Sequence, residues 1–408
     1  MTILSRRACL QTIASIPLAA GAQADETSRP KLPVAGVVTV YNRNSHADVI
    51  IGKILEGFRQ DGGAGPGLEL AALYVDQIGK NDLSRDLSDR YGFPVVDSID
   101  EAITLGSSQV KVAGVLSIGE HGNYPNAPGT GQKMFPRRRL FDSITAAFKR
   151  CDDVVPVFSD KHLAWNWADA LHMHQTAREM QIPFMAGSSL PVSVRRPAVT
   201  LPIGCEIEEA IALGYGGLES YGFHALETLQ CMVERRRGSE SGVAAVQAAQ
   251  GESIAAQIES GRCSREMIDA ALATQPRDVP DNWVERLGKN SALYLVDYCD
   301  GLKASVAMLN GVSRHFLFAA KLKGHKEPVA TWFELQEDRP FGHFAWLLRA
   351  IEHMIRSGAP AYPVERTLLT TGVLDCAMHS LAWNGARIST PHLAVEYQPV
   401  DWGFASGY

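Results

Sequence analysis

Apolar runs and amphipathic stretches alternate through the first half of this chain. Residues 34–40 form an apolar, β-branched run that predicts a buried strand, and 47–59 have helical spacing. The alternation continues with a strand at 68–75, a helix at 84–91, a strand at 110–118 and a helix at 140–149. Ser98, with Glu101 three residues on, opens a further helix between them. Residues 154–158 then predict a short buried strand, 165–180 a helix and 183–187 another strand. Strands alternating with helices predict a doubly wound parallel sheet, a Rossmann-like α/β domain over 34–190. Pro191, Pro197 and Pro202 mark a crossing segment and the expected boundary.

The pattern changes after that boundary. Residues 207–213 and 216–221 have strand character, and a helix runs from Gly222 to about Glu234. Helices are expected at 253–259 and 264–273. Residues 291–298 and 302–309 flank Asp300-Gly301, a strong hairpin signal. Residues 315–322 and 328–335 predict a second hairpin, 341–357 an amphipathic helix and 363–384 one more. This describes an α+β domain over 191–408 with an open, mainly antiparallel sheet. A broad sheet face needs a cover, so a homo-oligomer through that sheet is expected.

Charge and termini narrow the setting. A net charge of −6 argues against a nucleic-acid surface built on bulk positive charge. Arg6-Arg7, the apolar run 8–20 and Ala22-Gln23-Ala24 read as a twin-arginine signal over 1–24, followed by a polar linker, 25–33. Export to the periplasm or beyond follows, with the protein carried folded. No later run is long and apolar enough to span a bilayer. Cys9 leaves with the signal, and the other six cysteines show no CxxC spacing.

Candidate chemistry lies at strand ends, where parallel sheets bind ligands. The first strand runs into Tyr41-Asn42-Arg43-Asn44-Ser45-His46, a turn without the glycines of a dinucleotide fingerprint. Asn44 and Ser45 at a helix start can still hold an anion. Asp76, ending the second strand, suits a ribose hydroxyl. The third strand ends in Gly119-Glu120-His121-Gly122-Asn123-Tyr124, a loop able to grip a polar ligand. Asp160-Lys161-His162 follows the strand at 154–158, and His224 and Glu227 share one helix face. A metal site drawing on His121, Asp160, His162, His172 and His174 is weakened because His172 and His174, two apart, point in different directions.

These stretches, in their order, resemble the Gfo/Idh/MocA family of sugar oxidoreductases. Ser88-Asp89-Arg90-Tyr91-Gly92-Phe93-Pro94-Val95 with Asp100-Glu101-Ala102-Ile103 is similar to the family's helix and following strand. Ser159-Asp160-Lys161-His162 stands at its Glu-Lys-Pro turn, and Gly222-x-His224-x-x-Glu227 at its Asp-x-Gly-x-His-x-x-Asp motif. Arg366-Thr367-Leu368-Leu369 and Gly385-Ala386-Arg387 are similar to its C-terminal end. The resemblance implies NAD or NADP held by Asn44, Ser45, Asp76, Gly119 and Lys161. It implies Lys161 as the residue orienting nicotinamide and hydroxyl, His224 as acid/base and Asp160 as Lys161's partner. His121, Tyr124, His162 and Glu227 are then candidates to bind a sugar or polyol. The chain departs from the family where the glycines are missing, where His162 replaces the proline, and where Ser220 and Glu227 replace the two acids. Two readings follow. One is an exported oxidoreductase that holds its nucleotide tightly. The other is a cofactor-free relative that binds carbohydrate or moves protons with the same residues.

Overall fold

The computed structural model describes residues 30–407, so the signal segment expected over 1–24 lies outside the described residues. From Lys31 on, the chain forms one unit built on two sheets. The first sheet collects β1 (Leu32–Val38), β2 (Leu68–Val75), β3 (Val95–Val96), β4 (Gly114–Ile118), β5 (Val157–Asp160) and β6 (Phe184–Gly187). Its connecting helices are α1 (His46–Glu56), α2 (Ser84–Tyr91), α3 (Ile99–Thr104), α4 (Arg137–Cys151) and α5 (Trp167–Glu179). The strand order is β3-β2-β1-β4-β5-β6, all parallel. The order reverses between β1 and β4, which opens a crevice at their carboxyl ends.

The second sheet has the order β14-β9-β10-β11-β8-β12-β13-β7. Its strands are β7 (Val194–Arg196), β8 (Ile207–Gly214), β9 (Val243–Gln250), β10 (Ala292–Tyr298), β11 (Lys303–Met308), β12 (Phe316–Leu322), β13 (Val329–Glu334) and β14 (Ile388–Ser389). Only β11 and β8 pair in parallel. Its helices are α6 (Ser220–Val233), α7 (Ser253–Glu259), α8 (Arg265–Leu272), α9 (Gly342–Ser357) and α10 (Val364–Ala382). This is the Rossmann-like sheet plus α+β sheet that the hydrophobic pattern predicts.

Three findings differ from the sequence reading. Residues 216–221 are not a strand: Gly216, at φ +82°, turns the chain into α6. Strand β9 went unrecognised because its alanines, VAAVQAAQ, carry little β-propensity. The broad face of the second sheet is already covered. Ile211, Leu213, Leu293, Leu295, Leu317 and Ala319 pack under Ile254, Met267, Ile268 and Leu272 of α7 and α8. The argument for a homo-oligomer through an uncovered face therefore has no basis here. The opposite face packs α6 and α10. Helix α9 returns to the first sheet, where Leu347, Ile351 and Met354 join Val34, Val38 and Ile50 in one core. No helix among the described residues is long and apolar enough to cross a membrane.

Candidate active site

The turn after β1 makes its tight bend without glycine. Asn44 takes the left-handed conformation at φ +61°, which short polar side chains tolerate. Ser45 then caps α1: its Oγ accepts from Asp48 N at 3.4 Å and from Asn42 N at 3.2 Å. The Asp48 carboxylate reaches back to Asn44 N at 2.7 Å and takes Arg339 Nη1 at 2.7 Å. Capping places His46 in the first helical turn, at the sheet's carboxyl edge. Its Nδ1 meets Asp160 Oδ2, at the end of β5, at 2.7 Å. Strand β4 lies between β1 and β5, so this bond crosses the edge of the sheet beside the crevice. Asp160 is fully buried, and its Oδ1 has no partner.

The loop after β4 is tied to its neighbours. Thr39 Oγ1 donates to Glu120 O at 2.7 Å, and Gln77 exchanges two hydrogen bonds with the Asn123 backbone at 2.9 and 3.1 Å. Asp76 accepts from Tyr74 at 3.0 Å, Tyr124 at 2.6 Å and Arg139 at 2.7 Å. The Glu120 carboxylate pairs with Arg137 and lies 3.6 Å from Lys161 Nζ. Burial alone would raise its pKa, but Lys161 and Arg137 outweigh burial and hold it ionised well below the usual carboxylate range. Gly119 is needed because a Cβ there would meet Arg137 Cγ at 2.7 Å.

Between the two sheets lies a cleft of about 630 Å³, an ordinary size for a small-molecule site. Asn44, His46 and His121 line it from the first sheet, and Tyr221, His224, Arg314 and Phe316 from the second. His343 and Phe344 of α9 also line it. His121 stands edge-on to His46 at 5.4 Å, and His224 contacts Phe316 at 5.6 Å and Tyr221 at 5.8 Å. Burial, then the charge on Lys161, holds His224 well below the ordinary imidazole range. Burial and the charge on His46 also lower His121. Both rings are thus neutral proton acceptors at pH 7. A basin of about 740 Å³ adjoins the cleft and shares Tyr215, Arg314 and Glu337 with it, but His46, His121 and His224 do not line it.

The sequence candidates divide accordingly. Asn44, His121 and His224 line the cleft. Lys161 is 3% exposed and acts as a buried charge felt by Glu120, His121 and His224. Tyr124 donates its hydroxyl to Asp76, and neither residue lines the cleft. His162 is buried against Phe223 at 5.2 Å, 3.8 Å from Glu219, and burial lowers its pKa. Glu227 is fully buried, with Oε2 on the Ser188 amide at 2.8 Å and on the Ser188 hydroxyl. His172 pairs with Asp142 and His174 with Glu365, each away from the cleft. Among the described residues no group of three or more His, Cys, Asp or Glu is arranged to hold a metal ion. Sequence reading missed His46. The Ser45-x-x-Asp48 cap was the available signal, because it puts residue 46 at the helix start.

Glu227 carries a pH prediction. Burial raises its carboxyl to about 7, against the opposing pull of the Ser188 bonds. A carboxyl raised on folding holds its proton more tightly in the folded state. Its penalty is absent below the unfolded pKa, grows as pH rises and is complete above about 7. Stability should therefore fall by roughly 3 kcal/mol between acidic and neutral pH, and Glu227→Gln should flatten that slope. Denaturant titrations of both proteins across that range measure it.

No known family model and no curated protein matches this sequence. Solved structures do. GenD2 from gentamicin A biosynthesis, in complex with NAD, aligns at TM-score 0.56 and 14% identity over 88% of this chain and 97% of its own. The chain shares the two-sheet fold of these solved structures. Scyllo-inositol dehydrogenase from Lactobacillus casei, solved with NAD(H) and scyllo-inositol, aligns at 0.53 and 13%, over 88% and 99%. Myo-inositol dehydrogenase from Corynebacterium glutamicum aligns at 0.54 and 12%, over 88% and 98%.

On a fold of this kind a dinucleotide would run from the end of β2 across the crevice, with its pyrophosphate at the start of α1. Here each anchor of that path is committed. Asp76 has three partners, the Gly119–Pro125 loop is bonded to Thr39 and Gln77 just past β1 and β2, an acid sits in the first turn of α1, and His46 bridges to Asp160. In this structure the chain's own side chains fill each of these positions.

Proposed function

We propose that the cleft between the sheets acts on a polyhydroxylated carbonyl compound, a keto-sugar or its relative, by proton transfer at carbon without a nucleotide. The observation that carries this reading is the His46–Asp160 bridge across the sheet edge. It puts an acid–base pair on the path a dinucleotide would take. Aromatic faces at Tyr221, Phe316 and Phe344 suit the C–H face of a sugar ring, and Asn44, His343 and Arg314 offer hydrogen bonds to its hydroxyls. His224 is the candidate base on the second sheet. The buried charge of Lys161 favours negative charge developing on a substrate oxygen. An export signal over residues 1–24 agrees with this reading, because nicotinamide nucleotide is scarce outside the cytoplasm.

A second reading rests on the fold. The similar structures include enzymes solved with NAD or NAD(H), which supports an oxidoreductase acting on a sugar or polyol hydroxyl. One preparation separates the two. Purified protein is denatured and its supernatant examined for nicotinamide nucleotide by mass and absorbance. The folded protein is then incubated in D2O with hexoses, inositols and their keto forms. Proton-transfer chemistry gives no bound nucleotide and deuterium entering a carbon beside a carbonyl. Stoichiometric NAD or NADP would overturn it in favour of the oxidoreductase.

A further inference from the structure

The cleft has an acid–base group on each of two walls. His46 projects from α1 on the first sheet, and His224 from α6, which packs on the second. The two differ in what surrounds them. His46 is paired through Nδ1 with the fully buried carboxylate of Asp160 at 2.7 Å. That contact fixes the tautomer, leaves Nε2 for the cleft and compensates a positive charge on the ring. His224 has no carboxylate partner. It rests against Phe316 and Tyr221, and its buried Nδ1 bonds to nothing. One ring is built to carry a proton and the other to accept one.

We infer that the cleft inverts a stereocentre by a two-base mechanism, with His46 and His224 serving opposite faces of one substrate carbon. This rests on the proton-transfer reading above and narrows it to epimerisation of a hydroxylated carbon beside a carbonyl. In one direction His224 takes the proton from that carbon. The C–H electron pair becomes the carbon–carbon double bond of an enediolate, and the carbonyl π pair moves onto oxygen. His46, protonated at the start, delivers its proton to the opposite face of the same carbon, and the carbonyl re-forms. His224 ends protonated and His46 neutral, and exchange with solvent resets both. No oxidant or reductant is consumed. The reverse reaction uses the same two groups with their roles exchanged. Elimination would instead need an acid aimed at a leaving group, and one base would suffice.

The test reads each half-reaction separately. Wild-type protein in D2O, given the keto-sugar and keto-inositol panel, should invert a substrate and place deuterium in the product. His224→Gln should abolish inversion at least 100-fold, yet still exchange deuterium into the epimer whose C–H faces His46. His46→Gln should show the mirror pattern, with exchange confined to the other epimer. His46→Asn and His224→Asn, checked for unchanged thermal unfolding, guard against a variant that fails to fold. A merely structural role for either histidine would slow both epimers alike and overturn the inference. So would inversion that survives in either variant. Exchange by the wild type without inversion would overturn the two-base step and leave proton transfer standing. No exchange with any substrate would overturn both.

Discussion

Replacing Arg366 by methionine is expected to destabilise the protein by about 3–5 kcal/mol, the range for stranding one partner of a buried ion pair. Arg366 is 4% exposed and binds Glu234 through two nitrogens, Nε at 2.8 Å and Nη2 at 2.5 Å. Glu234 ends α6, Arg366 begins α10, and Tyr397 adds a hydroxyl to the same carboxylate at 2.8 Å. The pair therefore ties the helix that carries His224 to the long helix packed beside it. Removing the guanidinium leaves the Glu234 carboxylate 1% exposed with one neutral donor. The double variant Arg366→Met with Glu234→Met should recover much of the loss, because no charge is then stranded. Urea unfolding of the two single variants and the double closes the cycle. A loss below about 1 kcal/mol in Arg366→Met would mean that water reaches the carboxylate and the pair behaves like a surface one.

Asp160→Asn should lower inversion, and deuterium exchange of the epimer whose C–H faces His46, by about 10²–10⁴-fold, the range for losing a positioned acid–base group. Asparagine keeps the shape but removes the charge that compensates an imidazolium at His46. It can also donate to Nδ1, which would turn the acceptor nitrogen away from the cleft. Asp160 acts through His46, so it is a positioning residue, and the rate should also change its pH dependence. Unfolding should move little, since Oδ1 has no partner to lose. A rate within threefold of wild type would remove His46 from the mechanism. Lys161→Met is expected to act differently. It withdraws charge from Glu120, His121 and His224 together, so it should raise the pH at which His224 titrates as well as slow exchange. NMR titration of the histidine ring protons measures that shift.

Much of the architecture was legible along the chain, because burial imposes a period. The run 68–75 coincides with β2, where Leu68, Leu70 and Leu73 are buried and Glu69 between them is exposed. The Asp300-Gly301 turn marked its hairpin because few other residues make that bend. Strand β9 was illegible, since alanine suits a helix equally well and only pairing with β10 makes it a strand. The cover on the second sheet was also hidden. Helices α7 and α8 were visible as amphipathic segments, but no local signal says which face an amphipathic helix meets.

The same division holds at the site. Local sequence was enough to put Asp160 and Lys161 at the end of a strand and His224 near the start of a helix, and to show that the first turn lacks glycine. Only the tertiary structure decided what replaced the glycine. His46 and Asp160 are 114 residues apart, and the bond between them depends on α1 and β5 ending at one sheet edge. Tyr124 and Asp76 are 48 apart and satisfy each other for the same reason. A polar side chain at a strand end looks alike in sequence whether it awaits a ligand or already has a partner. The difference lies in hydrogen bonds between distant segments, which a linear pattern does not encode.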